Sequence, residues 1–415
     1  MSSFVRQSKF RHVYCEPPKN AEDEWQGFRL ATATGEQTYI KGSTKFFALA
    51  LSGGGGPFAV CDVNSTGRYD PDAPIISGHR SAVLDFEFSP FNPNLLASAS
   101  DDSTIKLWGI PDEGLSQTLT SDDALADLTA HGRKVTLLRF HPTANNVLAS
   151  ASADFTTKVW DVEHSSEIST FAECQALIQD IVWDYMGSNY AVSCKDKLIR
   201  IVDGRTAECT ASFQAHEGAK SCKLTYLGQK DKLVTVGFTR QSQRQFKIWD
   251  PRNTSEALKR VDIDQSAGVI MPFYDPDTCL LYLAGKGDGN IRYYEMSDEN
   301  PFSYSISEYR STQSQKGMCM LPKRACDVMR CETARFLKLT SNSVMPLSFI
   351  VPRKSDAFQE DLYPDSFAGV PSHAAADWIE GSDKVPIMAT MKPGATPSAS
   401  NKTETFVPKK NAMQL

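Results

Sequence analysis

The residues best suited to chemistry in this 415-residue chain are histidines and aspartates set at fixed distances. His79 is followed by Asp102 and Trp108, and His131 by Asp154 and Trp160; in both sets histidine to tryptophan is 29 residues and aspartate to tryptophan is 6. A histidine held by an aspartate beside a hydroxyl is the arrangement that makes a serine nucleophilic. Yet all three residues recur at one offset, 52, and a shared offset marks a structural repeat first. Other candidates are weaker. Cys326 and Cys331 are too far apart for a zinc pair, with no histidine or second pair following. The glycine-rich SGGGGP at 52–57 lacks the GK[ST] of a phosphate loop, and GKGDG at 285–289 has no strand–loop–helix around it. No cofactor, metal or catalytic residue is expected.

The elements that carry these residues are strands. SGHRSAVLDFEFSPFNPNLLASASDDSTIKLWGI (77–110) and TAHGRKVTLLRFHPTANNVLASASADFTTKVWDV (129–162) match almost throughout. Leu84, Phe86 and Phe88 alternate with Val83, Asp85 and Glu87, the period of two of a half-buried strand. Polar turns such as SDDS and HPTANN separate the runs. The tryptophan register continues in weaker copies at Cys61, Val202, Trp249 and Tyr294, with spacings of 47, 52, 42, 47 and 45 along the series. This is the WD-repeat period with loop insertions. Four short strands cannot bury both faces alone, so the repeats must close radially into an all-β, seven-bladed WD-repeat β-propeller. In such repeats the histidine, the turn aspartate, a strand Ser or Thr and the tryptophan form a buried hydrogen-bond chain. His79, Asp102, Trp108, His131, Asp154 and Trp160 are therefore expected to be structural, since each polar group left unpaired would cost ~1–3 kcal/mol.

Composition excludes several other classes. With 44 Lys+Arg against 50 Asp+Glu the net charge is −6, which argues against a dedicated nucleic-acid binder. The longest apolar stretches, such as 46–51, are far short of the roughly 18 residues of a membrane span. The N-terminus has no apolar segment of a secretory signal. The ten scattered cysteines then read as reduced thiols in the cytoplasm. Within this acidic chain residues 1–11 hold Arg6, Lys9 and Arg11 with no acid, and 322–338 holds Lys323, Arg324, Arg330, Arg335 and Lys338. An open ring leaves an unpaired edge, so a strand over residues 4–14 is expected to close the last blade beside the strand near Phe336.

VRQSKFRHVY (5–14) resembles the N-terminal signature of the coronins, the actin-binding WD-repeat proteins. The resemblance continues through LYLAGKGDGNIRYYE (281–295), LPKRACDVMRCETARFLKL (321–339) and VPRKSDAFQEDLYPD (351–365), and covers roughly residues 4–390. It implies a propeller over 1–349 and a C-terminal extension, 350–391, packed on one face, with Trp378 among its apolar anchors. Residues 392–415 read as a flexible linker or tail. The resemblance also implies a non-enzymatic F-actin-binding protein of the cytoplasmic actin cytoskeleton and cell cortex. Arg29 matches the position of the family's filament-binding arginine, and Lys9, Arg11 and Arg6 would extend that basic surface. A generic WD-repeat adaptor without actin affinity is the alternative. No heptad pattern runs to Leu415. Self-association is therefore not expected from this chain, and contact with the actin-nucleating Arp complex, which the resemblance assigns to a C-terminal coiled coil, would need a module that this sequence either stops short of or lacks.

Overall fold

The computed structural model describes residues 7–32, 35, 37–395 and 406–408. Its strands form a seven-bladed β-propeller around a central channel. Blade two runs outward as Val83–Phe88, Leu95–Ser100, Ile105–Gly109 and Ala126–Leu128; blade three repeats it as Val135–Phe140, Val147–Ser152, Thr157–Asp161 and Ser166–Phe171. Blade one has Ile40–Gly42, Phe46–Ala50 and Phe58–Asp62, with Ile76 bridging Phe58 outside them.

Every residue of Leu95–Ser100 and Val147–Ser152 is buried. These second strands lie inside their sheets and are covered on both faces by neighbouring blades, and their alanines let the sheets approach. The apolar core is accordingly split into seven wedges, one between each pair of adjacent blades.

Turns between second and third strands lie at the same end as the crossovers into each blade: Asp101 N–H bonds the Ala82 carbonyl at 2.9 Å. We call this the upper end. Turns between first and second strands lie at the lower end, where the C-terminal extension docks. His373 bridges Ala144, and Ser372 N–H bonds the Thr143 carbonyl at 2.8 Å. The short helix Ala375–Ile379 inserts Trp378, which is fully buried against His141 at 4.8 Å between ring centroids and Trp183 at 6.0 Å.

The closing strand differs from expectation. Tyr14–Glu16 and Trp25–Gln26 both pair antiparallel with Ser343–Ile350, not with the strand that holds Phe336. Residues before Tyr14 form a turn, with Val13 N–H on the Phe10 carbonyl at 3.1 Å, and residues 1–6 lie outside the described residues. The two paired segments are separate because Pro17 and Pro18 follow Glu16, and proline has no N–H to give a sheet. Trp25–Gln26 also pairs parallel with Gly67–Arg68, which ties the last blade to the first.

Buried histidines make this fold acid-sensitive. At His141, Nδ1 accepts from the N–H groups of Thr143 and Ala144 at 3.1 and 2.8 Å, and Nε2 donates to the Gly187 carbonyl at 2.8 Å. A proton on Nδ1 would face two donors. Burial pushes His141 and His216 down to about 3, against about 6.5 in an unfolded chain. Below about 6.5 the unfolded chain binds more protons, so stability present above that pH is lost as pH falls toward 3. The slope reaches about 1.4 kcal/mol per pH unit for each histidine. Urea midpoints should drop between pH ~7 and ~5, ahead of carboxylate titration; a flat profile over that window would contradict this account.

Candidate functional site

The repeated polar residues come together inside blades two and three with nearly identical geometry. His79 Nε2 meets Ser98 Oγ at 2.7 Å and Nδ1 meets Asp102 at 3.0 Å, while Trp108 Nε1 donates to Ser98 Oγ at 2.9 Å. His131, Ser150, Asp154 and Trp160 repeat this at 2.7, 3.0 and 2.8 Å. Burial alone would raise Asp102. Hydrogen bonds from His79, Thr104 and the Arg80 N–H outweigh it and hold the carboxyl well below the usual range. Asp154 is likewise held at about 2 by Thr156, Gly132 and His131 against its burial. In blade five Thr235 takes the serine's place, bonded by His216 at 2.9 Å and Trp249 at 3.0 Å, and Gln245 stands for the aspartate. The serine hydroxyls have zero exposure and no route for substrate. In blades two, three and five these networks hold the upper turn onto its blade, which positions the exposed residues next to them.

Arg29 is on that upper end. Its carbonyl accepts from Ser52 N–H at 2.8 Å, Leu30 bridges Leu51, and the preceding Phe28 is buried against Tyr69 at 4.7 Å. The backbone is thus fixed while the guanidinium is exposed, with no ion pair or side-chain hydrogen bond among the described residues. Lys9 and Arg11 are exposed too, but elsewhere. Tyr14 pairs near the lower end of Ser343–Ile350 and Trp25 near its upper end, so the chain climbs the blade between them. Lys9 Nζ bonds the Asp361 carbonyl of the extension at 2.8 Å. The structure therefore separates Lys9 and Arg11 from Arg29, and Arg6 lies outside the described residues.

What joins Arg29 is a set of cations on other upper turns: Arg80, Arg133, Lys134, Lys195, Lys197 and Arg240, all exposed. Arg80, Arg133 and Lys195 carry no side-chain partner among the described residues; Lys134 is 3.7 Å from Asp101, and Arg240 is 3.6 Å from Glu217. The lower end is opposite in charge, with Asp356, Glu360, Asp361, Asp365, Asp377 and Glu380 of the extension exposed. Sequence inspection misses this face because its residues are contributed one turn at a time; the clue is a basic residue one to three positions after His79 and His131.

The other basic run, 322–338, is consumed internally. Lys323 bonds Asp275 and the Thr333 carbonyl, Arg324 bonds the Ala368 carbonyl, and Arg330 and Arg335 pair with Glu16 and Glu332 at 2.5 and 2.6 Å. Lys338 is fully buried, and burial pushes its amine down to about 8. Among the described residues no His/Cys/Asp/Glu cluster could hold a metal, and no helix is long and apolar enough to cross a membrane.

Comparison with known proteins agrees with the architecture. A WD domain, G-beta repeat, matches residues 73–109 and 123–161, blades two and three. A domain of unknown function (DUF1899) matches 3–68. A type of WD40 repeat matches 344–386, although only its first residues belong to a blade here and the rest is the extension. Coronin-2A of Homo sapiens is 39% identical over 94% of this chain and 75% of its own length. Coronin-A of Dictyostelium discoideum is 41% identical over 96% of this chain and 89% of its own. The crystal structure of the WD40 domain from Toxoplasma gondii coronin superposes with a TM-score of 0.87 at 32% identity, covering 92% of this chain and 98% of that one.

Proposed function

The chain belongs to the coronin family, and from that premise we propose that it binds F-actin through its upper end and so organises filaments, by contact and without chemistry of its own. The observation that carries this reading is the exposed guanidinium of Arg29, unpaired among the described residues, beside the cations of neighbouring turns in a chain of net charge −6. An acidic filament surface is attracted to that end and repelled by the extension's carboxylates. The site of work is the cytoplasm, at the actin cytoskeleton and cell cortex. Lys9, bonded to the extension, and the exposed Arg11 beside it lie at the other end and contribute little to the contact.

Co-sedimentation with filaments tests this. An exposed charge pair is worth only ~0.2–1 kcal/mol, whereas losing one partner of a desolvated interfacial pair costs ~2–5 kcal/mol. Arg29→Asp, whose side chain supports nothing in the fold, should weaken binding at least tenfold while melting like wild type. Arg11→Asp should weaken it much less. Rising salt should loosen wild-type binding, because part of the attraction is screened. Equal binding of folded Arg29→Asp and wild type at one salt concentration would move the contact away from this end; that outcome favours an adaptor with other protein partners.

A further inference from the structure

The lower mouth of the channel holds a cavity of about 1430 Å³ between the blades and the extension. That exceeds the ~300–1,000 Å³ of a typical small-molecule site, and suits a peptide better. Its wall is apolar and aromatic, with Phe91, Trp183, Tyr226, Phe367 and Met388 among the lining residues. One peptide already touches it. Phe406 of this chain is half-buried against the wedge between blades two and three, which includes Leu95 and Phe140, and Phe406 and Val407 line the cavity. Upstream, Met391 packs on the wedge between blades six and seven. The two described ends of the C-terminal segment therefore lie on opposite sides of the mouth.

Charge favours the same occupant. The four basic groups of the lining are engaged: Lys45 with Asp112, Lys230 with Asp298 at 2.7 Å, Lys323 with Asp275, and Arg324 with the Ala368 carbonyl. Of the lining carboxylates, Asp277 faces Lys323 and the Ser366 hydroxyl, whereas Asp365 carries no ion pair among the described residues. After Phe406-Val407-Pro408 the sequence continues Lys409-Lys410, two cations of the charge that the Asp365 carboxylate would attract. We infer that the lower mouth is a peptide-docking groove whose occupant is the chain's own C-terminal segment, an aromatic–aliphatic–proline triplet followed by lysines, held in cis across the channel.

The test uses a fluorescein-labelled peptide of residues 403–410 titrated into the full chain. A tethered segment competes at an effective concentration near millimolar, so wild type should bind the peptide weakly. Phe406→Ser in the full chain dislodges the segment while leaving every blade residue in place, and should bind the peptide at least tenfold more tightly. Adding Asp365→Asn to that variant should weaken binding severalfold, and a peptide carrying the same Phe406→Ser change should not bind. Equal affinity for wild type and Phe406→Ser, or no saturable binding to Phe406→Ser, overturns the proposal. So does a wild-type dimer in sedimentation that Phe406→Ser dissociates, since the segment would then seat on a second copy.

Discussion

Trp378→Ala should release the C-terminal extension and destabilise the chain by about 3–5 kcal/mol, the usual cost of removing a buried tryptophan. The side chain has zero exposure and fills a slot between His141, Trp183 and the guanidinium of Arg205, whose carbon is 4.7 Å from the ring. Arg205 also bonds the Trp378 carbonyl at 2.5 Å, the Ser382 carbonyl at 2.9 Å and Asp383 at 2.6 Å. The helix is a single turn and owes its order to this slot, since isolated helices so short do not persist. Limited proteolysis should cut wild type slowly between residues 366 and 389 and Trp378→Ala rapidly. Trp378→Phe should be milder, because the indole N–H has no hydrogen-bond partner among the described residues to lose. Unchanged melting and digestion of the alanine variant would mean that the extension is held elsewhere.

The second large effect is expected at the seam. Trp25 is buried between the last and first blades, edge-on to Phe47 at 5.0 Å, in a strand that pairs with Val344 on one side and Gly67 on the other. Trp25→Ala removes the side chain that fixes this junction and should cost about 3–5 kcal/mol. It should also speed unfolding, because an opened ring exposes a sheet edge. Deleting residues 1–11 should cost less, since the paired segments begin at Tyr14. Denaturant melts of the two variants side by side decide the point: a larger loss from the deletion would return the closing role to the first residues.

The blades were legible in the sequence because two of them repeat the same histidine, aspartate and tryptophan at the same distances, and the others keep the spacing of that register. The extension was legible through apolar residues such as Leu362, Tyr363 and Trp378, all buried here. The seam was only half legible. Need for a closing strand was plain, but its interruption depended on Pro17 and Pro18, whose effect appears once the partner strand is known. Arg29 was found by family resemblance, and its neighbours were not found at all. Arg80, Arg133 and Lys195 are each some fifty or more residues apart in the chain, and only ring closure gathers them on one end. The reverse held for 322–338, where three of five cations close in sequence are neutralised by Asp275 and Glu16 from elsewhere and by Glu332 within the run, and the other two bond carbonyls.

Seven core wedges closed in a ring have a mechanical consequence. In an open stack the end units have one neighbour and fray first; here every wedge has two, and none is an end. The one place where the backbone itself does not carry the ring forward is the seventh blade, where Tyr14–Glu16 and Ser343–Ile350 lie side by side. Tension applied through the two ends of the propeller therefore falls on the pairing of Ser343–Ile350 with Tyr14–Glu16 and Trp25–Gln26. That blade is the clasp of the ring, and the other six bear load only after it has parted.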